Sequence, residues 1–308
     1  MQMDDVLVTG ANGMVGRALV ARLAAAGSRV VAHDRIREAD DADAGRVEHV
    51  QGDLRDVHGL YRVLRDHPVD TVIHGGGISG PMLLRNDPFQ VNEINVIASA
   101  QLLEAARACG VRRFVFLSSA AAYGDTPAGP VGEDAPRRPK DVYGASKGAV
   151  ELLVAGYRGQ CGFDGVSLRL SNVYGPGRRT SCAIRTMLED ARTGRATRFD
   201  WGAGESRPYC YLDDAVDAVI AACRAPRIAR AVYNVAGPEF VAMERVAEAV
   251  RRAVPQADIG FEPGLDGIGY RRDALDLTAA AEDLGFVPAV GIDDGVARYH
   301  AWMGQTAV

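Results

Sequence analysis

The sequence predicts a doubly wound α/β fold, a parallel sheet covered on both faces by helices. Over the first 170 residues, short and almost wholly apolar runs alternate with stretches of helical apolar spacing, the pattern of strands buried on both sides by crossover helices. The first apolar run passes through a glycine-rich turn into the first helical stretch. With 308 residues, 47% of them hydrophobic, the chain can also bury a large core.

Residues 6–9 (Val-Leu-Val-Thr) read as the first strand and 14–26 as a helix stopped by Gly27. Strands are expected at 29–33, 47–50 and 71–74, with a helix at 56–66 between the last two, and the acidic run at 38–43 reads as a solvated loop. A helix at 88–108 precedes a strand at 113–117, and a helix at 142–157 precedes a strand at 165–170. Past Asn172 the rhythm loosens at Gly175-Pro176-Gly177, and helices are expected near 183–193, 213–224, 243–253 and 293–302. The division expected is a main domain of 1–173 plus about 206–236, and a smaller discontinuous α/β cap of about 174–205 plus 237–308.

A net charge of -5 offers no electrostatic footprint for nucleic acid or an anionic membrane. No apolar run approaches membrane-spanning length, and the first residues lack a basic then apolar leader. Five widely spaced cysteines without a Cys-x-x-Cys motif imply reduced thiols, neither a disulfide frame nor a metal site, and a cytoplasmic location.

The loop Gly10-Ala11-Asn12-Gly13-Met14-Val15-Gly16 joins the first strand to the first helix. There, backbone N–H groups and the helix dipole favour a dinucleotide pyrophosphate, which places Gly10, Asn12, Gly13, Met14 and Gly16 against a cofactor. Asp34 ends the second strand, where a carboxylate accepts from adenosine ribose hydroxyls. A 2′-phosphate about 4 Å from it would be repelled by on the order of 4 kcal/mol, so NAD is expected over NADP, with Arg35 alongside. Asp53 and Leu54 follow the third strand on the adenine side. Gly75 and Gly76, after the fourth strand, let a cofactor lie against backbone; Ser79 of that loop is assigned to the substrate side, and His74 is expected to pack or bond locally.

Tyr143 and Lys147 stand four residues apart, which puts both on one helix face. Lys147 is one of two lysines among 35 basic residues. An ammonium about 4 Å from a phenol is worth on the order of 4 kcal/mol at intermediate dielectric, so Lys147 is expected to lower the Tyr143 pKa toward neutrality and make it a usable acid or base. Ser118 and Ser119 end the fifth strand at the carboxyl edge, where open α/β sheets bind ligands.

Together these parts resemble the extended short-chain dehydrogenase/reductase family, the NAD-dependent nucleotide-sugar epimerases and dehydratases. The likeness rests on Thr9-Gly10 to Gly16, Gly52-Asp53-Leu54, Phe116-Leu117-Ser118-Ser119 with Tyr123-Gly124, Tyr143-Gly-Ala-Ser-Lys147, Arg169-Leu-Ser-Asn172-Val-Tyr-Gly-Pro176, and Arg207 with Tyr211-Leu212-Asp213-Asp214. It implies a Rossmann domain with a small cap, bound NAD, a carbohydrate substrate, and frequently a homodimer packed through the helices holding Asn95 and Tyr143. It further implies that Tyr143 exchanges the proton of the reacting hydroxyl, that Lys147 holds the ribose, and that Ser119, four residues before Tyr123, orients the hydroxyl. Asn172 and Arg207 fall on the substrate side; apart from the resemblance, Arg271 and Arg272 are read as a second anionic contact there.

The family's 4,6-dehydratases need an acid and a base directly after this serine or threonine; here those positions are Ala120 and Ala121. Elimination and decarboxylation are therefore disfavoured. An epimerase that transiently oxidises C4 of a UDP-hexose is the leading expectation. A net NAD-dependent dehydrogenase of a free sugar, sugar acid or polyol is the alternative, and a catalytically silent NAD-sensing interaction protein stands behind both.

Overall fold

The computed structural model describes residues 5–36, 45–267 and 270–305, so the acidic run at 38–43 lies outside the described residues. Strands β1 (Val6–Thr9), β2 (Val30–Asp34), β3 (Val47–Gln51), β4 (Thr71–His74), β5 (Arg113–Ser119) and β6 (Asp164–Leu170) are interleaved with helices α1 (Met14–Ala25), α2 (Val57–Asp66), α3 (Pro88–Asn92), α4 (Ala98–Ala108) and α5 (Val142–Cys161). A π-helical turn, Glu93–Ile97, joins α3 to α4, and a 3-10 turn, Ala120–Tyr123, follows β5. Beyond β6 come β7 (Val173–Tyr174), α6 (Ala183–Arg192), β8 (Thr197–Ala203), β9 (Ser206–Pro208), β10 (Cys210–Tyr211), α7 (Leu212–Arg224), β11 (Val232–Val235), β12 (Phe240–Ala242), α8 (Met243–Ala253), β13 (Ile259–Pro263), α9 (Thr278–Leu284) and α10 (Ile292–Gln305).

Seven strands form one sheet in the order β11-β6-β5-β4-β1-β2-β3, and every pairing in it is parallel. All four residues of β1 and of β4 are buried, as burial on both sheet faces requires. In α1 the buried positions are Gly16, Leu19, Val20 and Leu23, the i, i+3, i+4, i+7 stripe of a helix lying on a sheet. The chain leaves β1 toward β2 and β3, then crosses to β4 on β1's other side. The reversal leaves a crevice at the carboxyl ends of β1 and β4.

The smaller strands pair outside this sheet: β8 with β13, and β9 antiparallel to β12. Ile184, Met187 and Leu188 of α6 share a second core with Val246 and Val250 of α8 and with Val296 and Tyr299 of α10. Helix α9, absent from the sequence reading, packs on α7 and β11 instead. Its Ala279 and Ala280 join the core of the main sheet.

Candidate active site

The two glycine-rich loops meet at the crevice. Gly10 has φ +71, and a Cβ there would stand 2.7 Å from the Gly76 nitrogen and 2.8 Å from the Gly75 carbonyl carbon, so only glycine lets these backbones touch. At Gly16 a Cβ would meet the Gly10 carbonyl oxygen at 2.1 Å. No side chain caps the start of α1, which leaves its first N–H groups and the positive end of its dipole for an anion. Asp34 accepts the N–H of Asn12 at 2.9 Å and that of Ile36 at 3.3 Å, which leaves further carboxylate lone pairs for hydroxyl donors. Asp53 is gripped by Arg55 at 2.7 Å and held at a pKa of about 2, chiefly by that hydrogen bond. These residues fit NAD: a backbone cradle that suits a pyrophosphate, and a carboxylate with lone pairs left for hydroxyl donors that would repel a 2′-phosphate. They line one cleft of about 1130 Å³ with Arg35, Leu54, Ser79, Ser119, Tyr143, Lys147, Asn172 and Arg207.

His74 is a tether. Ser99 donates to the Asn95 carbonyl at 2.6 Å, so the contact of 2.8 Å between Ser99 Oγ and His74 Nε2 must be donated by the ring. Nδ1 then accepts from Thr9 Oγ1 at 2.7 Å, and Thr9 Oγ1 in turn accepts the Gly76 N–H at 3.2 Å. Complete burial holds the imidazole neutral, with its pKa lowered to about 3. The chain of bonds continues through Asn95, in the π-helical turn, whose side chain donates to Ser146 Oγ at 3.0 Å on α5. The glycine loop after β4 and the helix carrying Tyr143 are thereby fixed to each other.

Helix α5 begins at Asp141, whose carboxylate caps the Gly144 N–H at 2.7 Å and accepts the Tyr270 hydroxyl at 2.5 Å. A Cβ on Gly144 would lie 2.5 Å from the Ala121 carbonyl oxygen, so the glycine after Tyr143 lets the helix touch the 3-10 turn that begins at Ser119. Gly144→Ala is expected to push Tyr143 away from Ser119 and lower kcat about tenfold to hundredfold with little change in substrate affinity, read from steady-state kinetics beside direct binding.

Ser119 caps the 3-10 turn by accepting the Ala121 N–H at 3.1 Å, which leaves its own proton to donate, and it lines the cleft with Tyr143, whose pKa it pulls down. Ser118 points the other way, donating to buried Glu151 at 2.6 Å. Lys147 donates to the Leu117 carbonyl at 2.8 Å and sits over the Phe116 ring at 4.8 Å.

The expected effect of Lys147 on the phenol is corrected here. Burial holds the Tyr143 pKa above its ordinary value, and it is Ser119, then Arg272 and Arg178, that pull it down. The ammonium stands 5.9 Å from the phenol ring centroid and is engaged by the Leu117 carbonyl. Burial lowers Lys147's own pKa to about 8, partly offset by Glu151.

Of the two arginines read as a second anionic contact, Arg271 is corrected: it is exposed, and its backbone bonds Asp125 and Thr126, outside the cleft. Its neighbour Arg272 does line the cleft, stacked 4.4 Å from the Tyr270 ring centroid. The sequence reading passed over Arg178 and Asp266, both on the cleft wall; Asp266 pairs with Arg207 at 3.1 Å, a partnership no local spacing signals. Asn172 adopts φ +36, a conformation asparagine tolerates better than most residues. Ala120 and Ala121 are buried, with no acid at either position.

A model of the NAD dependent epimerase/dehydratase family matches residues 6–236. The chain is 32% identical over 306 residues to a UDP-glucose 4-epimerase of Mycolicibacterium smegmatis, covering 95% of this chain and 96% of that one. Among solved structures, MoeE5 in complex with UDP-glucose and NAD superposes with a TM-score of 0.88 at 27% identity, covering 99% of this chain and 100% of that one. A UDP-glucose 4-epimerase of Thermotoga maritima, solved with UDP-glucose, shares the fold with a TM-score of 0.89 at 23% identity, covering 98% and 99% of the two chains.

Proposed function

The chain belongs to the NAD dependent epimerase/dehydratase family, and on that premise we propose that it is an NAD-dependent sugar-nucleotide epimerase inverting C4 of a UDP-hexose. The observation that carries this reading is Ser119, Tyr143 and Lys147 lining one cleft at the carboxyl edge of β5, with Ser119 followed directly by two buried alanines. Proton exchange at a hydroxyl is provided for; acid–base elimination at those two positions is not. The near full-length likeness to an epimerase supports inversion over net oxidation.

NAD, when bound, supplies the reversible hydride acceptor that turns C4 into a ketone and back. As its phenolate, which Ser119 and the fields of Arg272 and Arg178 favour against burial, Tyr143 takes the C4 hydroxyl proton and returns it. Lys147, anchored on the Leu117 carbonyl, presents its remaining donors to the cofactor ribose. Arg207, stacked 5.0 Å from the Trp201 ring centroid, offers a planar fork to the diphosphate, with Asn172 and Ser79 lining the substrate side.

The test is purified protein with NAD and panels of UDP-sugars and free aldoses, following NADH absorbance and product identity together. Interconversion of C4 epimers without net NADH is expected. Steady NADH accumulation would replace this reading with a dehydrogenase, and activity on free sugars would remove the nucleotide requirement.

Lys147 also makes a pH prediction. Its folded pKa of about 8 lies below the ordinary lysine value, so between the two the unfolded chain binds a proton that the folded chain does not. Stability from this group therefore rises with pH across that window and is lost as pH falls through about 8. The urea midpoint of the wild type relative to that of Lys147→Met is expected to rise from pH 8 to pH 10.

A homodimer is supported by Phe89 on α3, Ile97 in the π-helical turn and Leu152 on α5, large apolar side chains 69%, 47% and 61% exposed on elements that pack together. Leu152→Glu is expected to yield monomers in sedimentation velocity; an unchanged dimer would place the interface elsewhere. Among the described residues no helix is long and apolar enough to cross a membrane, and the five unpaired thiols suit a cytoplasmic setting.

A further inference from the structure

The start of α5 is held by a residue 129 positions further along the chain. Asp141 divides its carboxylate between two partners: Oδ1 caps the Gly144 N–H at 2.7 Å, and Oδ2 accepts the Tyr270 hydroxyl at 2.5 Å. Gly144 directly follows Tyr143, so the side chain that fixes the reacting turn of the helix is itself fixed by Tyr270. Tyr270 is buried, and its hydroxyl oxygen accepts the Lys140 N–H at 3.3 Å. Its ring carries the Arg272 guanidinium, 4.4 Å from the centroid. One side chain thus joins the N-cap of α5 to an arginine of the cleft wall.

The segment around Tyr270 has an anchorage of its own. The Arg271 N–H reaches Asp125 Oδ1 at 2.9 Å, the Arg271 carbonyl accepts the Thr126 N–H at 2.9 Å, and Thr126 Oγ1 accepts the Asp273 N–H at 2.9 Å. Val131 and Leu275 form an isolated bridge beyond them. Without its hydroxyl the Tyr270 ring would stay where these bonds put it, so the bond to Asp141 is not what docks the segment. Its effect falls on the carboxylate. A carboxylate that caps a helix through one oxygen can still swing on its side-chain torsions; a bond to the other oxygen fixes its plane, and with it the helix turn. The same bond disperses the Asp141 charge. Around Tyr143 stand Lys147 on its own helix, Ser119 at the end of β5, Arg272 on the Tyr270 segment and Arg178 after β7. Burial, and among the charges Asp141, raise the Tyr143 pKa against Ser119, Arg272 and Arg178.

We propose that Tyr270 is a positioning residue for proton transfer at Tyr143, acting through the Asp141 carboxylate that caps α5. The proposal rests on the epimerase reading for the reaction that this transfer serves. Tyr270 holds the N-cap, and so the first turn of α5, and it draws off part of the negative charge that opposes the phenolate. Burial, then Asp141, holds the pKa of the Tyr270 hydroxyl above its ordinary value, so it remains a donor while Tyr143 gains and loses its proton.

The experiment uses the full chain loaded with NAD, with Tyr270→Phe and Asp141→Asn as variants. Turnover of a UDP-hexose gives kcat, calorimetry gives UDP affinity, and carbon NMR of isotope-labelled tyrosine follows the Tyr143 titration, its signal assigned by its loss in Tyr143→Phe. In Tyr270→Phe, kcat is expected to fall about tenfold with UDP affinity within about threefold, and the Tyr143 titration to move to higher pH. In Asp141→Asn, which keeps a capping oxygen and removes the charge, that titration should move to lower pH. A residue that merely braces the fold would lower the urea midpoint and leave kcat and the Tyr143 titration at their wild-type values, which would overturn the proposal. A tenfold loss of UDP affinity in Tyr270→Phe would place the residue in substrate binding and also overturn it. If Tyr270→Phe does not fold, a Tyr143 titration in Asp141→Asn equal to the wild type's does the same. Absence of turnover by the wild type on every UDP-sugar would sink the epimerase reading instead, and the two titrations would still decide the role of Tyr270.

Discussion

Tyr143→Phe is expected to lower kcat by about a thousandfold or more while the protein still folds and still binds UDP-sugar. The phenol oxygen is the group whose pKa Ser119 pulls down, so deleting it removes the proton acceptor and one of the two hydroxyls that would hold the C4 oxygen. General acid–base catalysis contributes on the order of 100-fold to 10,000-fold, and loss of orientation adds to it. The aromatic ring remains to fill the space on α5, and Lys147 keeps its bond to the Leu117 carbonyl. Stopped-flow or NMR turnover with calorimetric binding separates the two effects. A variant that keeps more than a tenth of wild-type kcat would show that another group moves the proton.

Glu151→Ala is expected to destabilise the fold by about 3–5 kcal/mol, one of the largest single-residue losses in this chain. Glu151 lies one helical turn beyond Lys147 and is fully buried. It receives two nitrogens of Arg169 at 2.9 and 2.7 Å, Arg137 Nε at 2.8 Å and the Ser118 hydroxyl at 2.6 Å. Arg169 is equally buried, lies 4.2 Å from the Tyr123 ring centroid and donates to the Glu133 carbonyl. Alanine would strand the Arg169 charge in the interior between β6 and α5, which costs far more than the lost pair itself contributes. Urea unfolding measures the loss. A second readout follows from position: Glu151 raises the Lys147 pKa, so in Glu151→Gln, which keeps the shape and removes the charge, Lys147 should lose its proton at lower pH. A loss below about 1 kcal/mol in the alanine variant would mean that water replaces the carboxylate.

The parts legible in the sequence were those fixed by local geometry. Strands 6–9 and 71–74 and helix 243–253 were read with the bounds later observed, because apolar periodicity over a few residues reports which face a segment buries. The glycine loop after β1 was legible because its neighbours in the chain, a strand and a helix, fix its place at the sheet edge. The pairing of Tyr143 with Lys147 on one helix face followed from the helical repeat. Ala120 and Ala121, where an elimination needs an acid and a base, limited the chemistry once the resemblance was drawn.

Other features required the folded chain. Arg271 and Arg272 are equivalent in sequence, and only the turn that docks Arg272 on Tyr270 decides which of them faces the cleft. Lys147 was expected to act on the phenol, yet it bonds the carbonyl of Leu117 from β5, and burial rather than charge sets the sign of the Tyr143 shift. The line from Gly76 through Thr9, His74, Ser99 and Asn95 to Ser146 joins four separate segments. Helix α9 lacks a strong apolar stripe and gains its place from α7 and β11. The sequence by itself determined the parallel sheet, the glycine-rich loop after β1 and the shared helix face of Tyr143 and Lys147, since each depends on backbone periodicity or on residues a few positions apart. The tertiary structure alone decided which charges are matched, which way each arginine faces and how far burial moves each proton. Those depend on partners distant in sequence and on how much water the fold excludes.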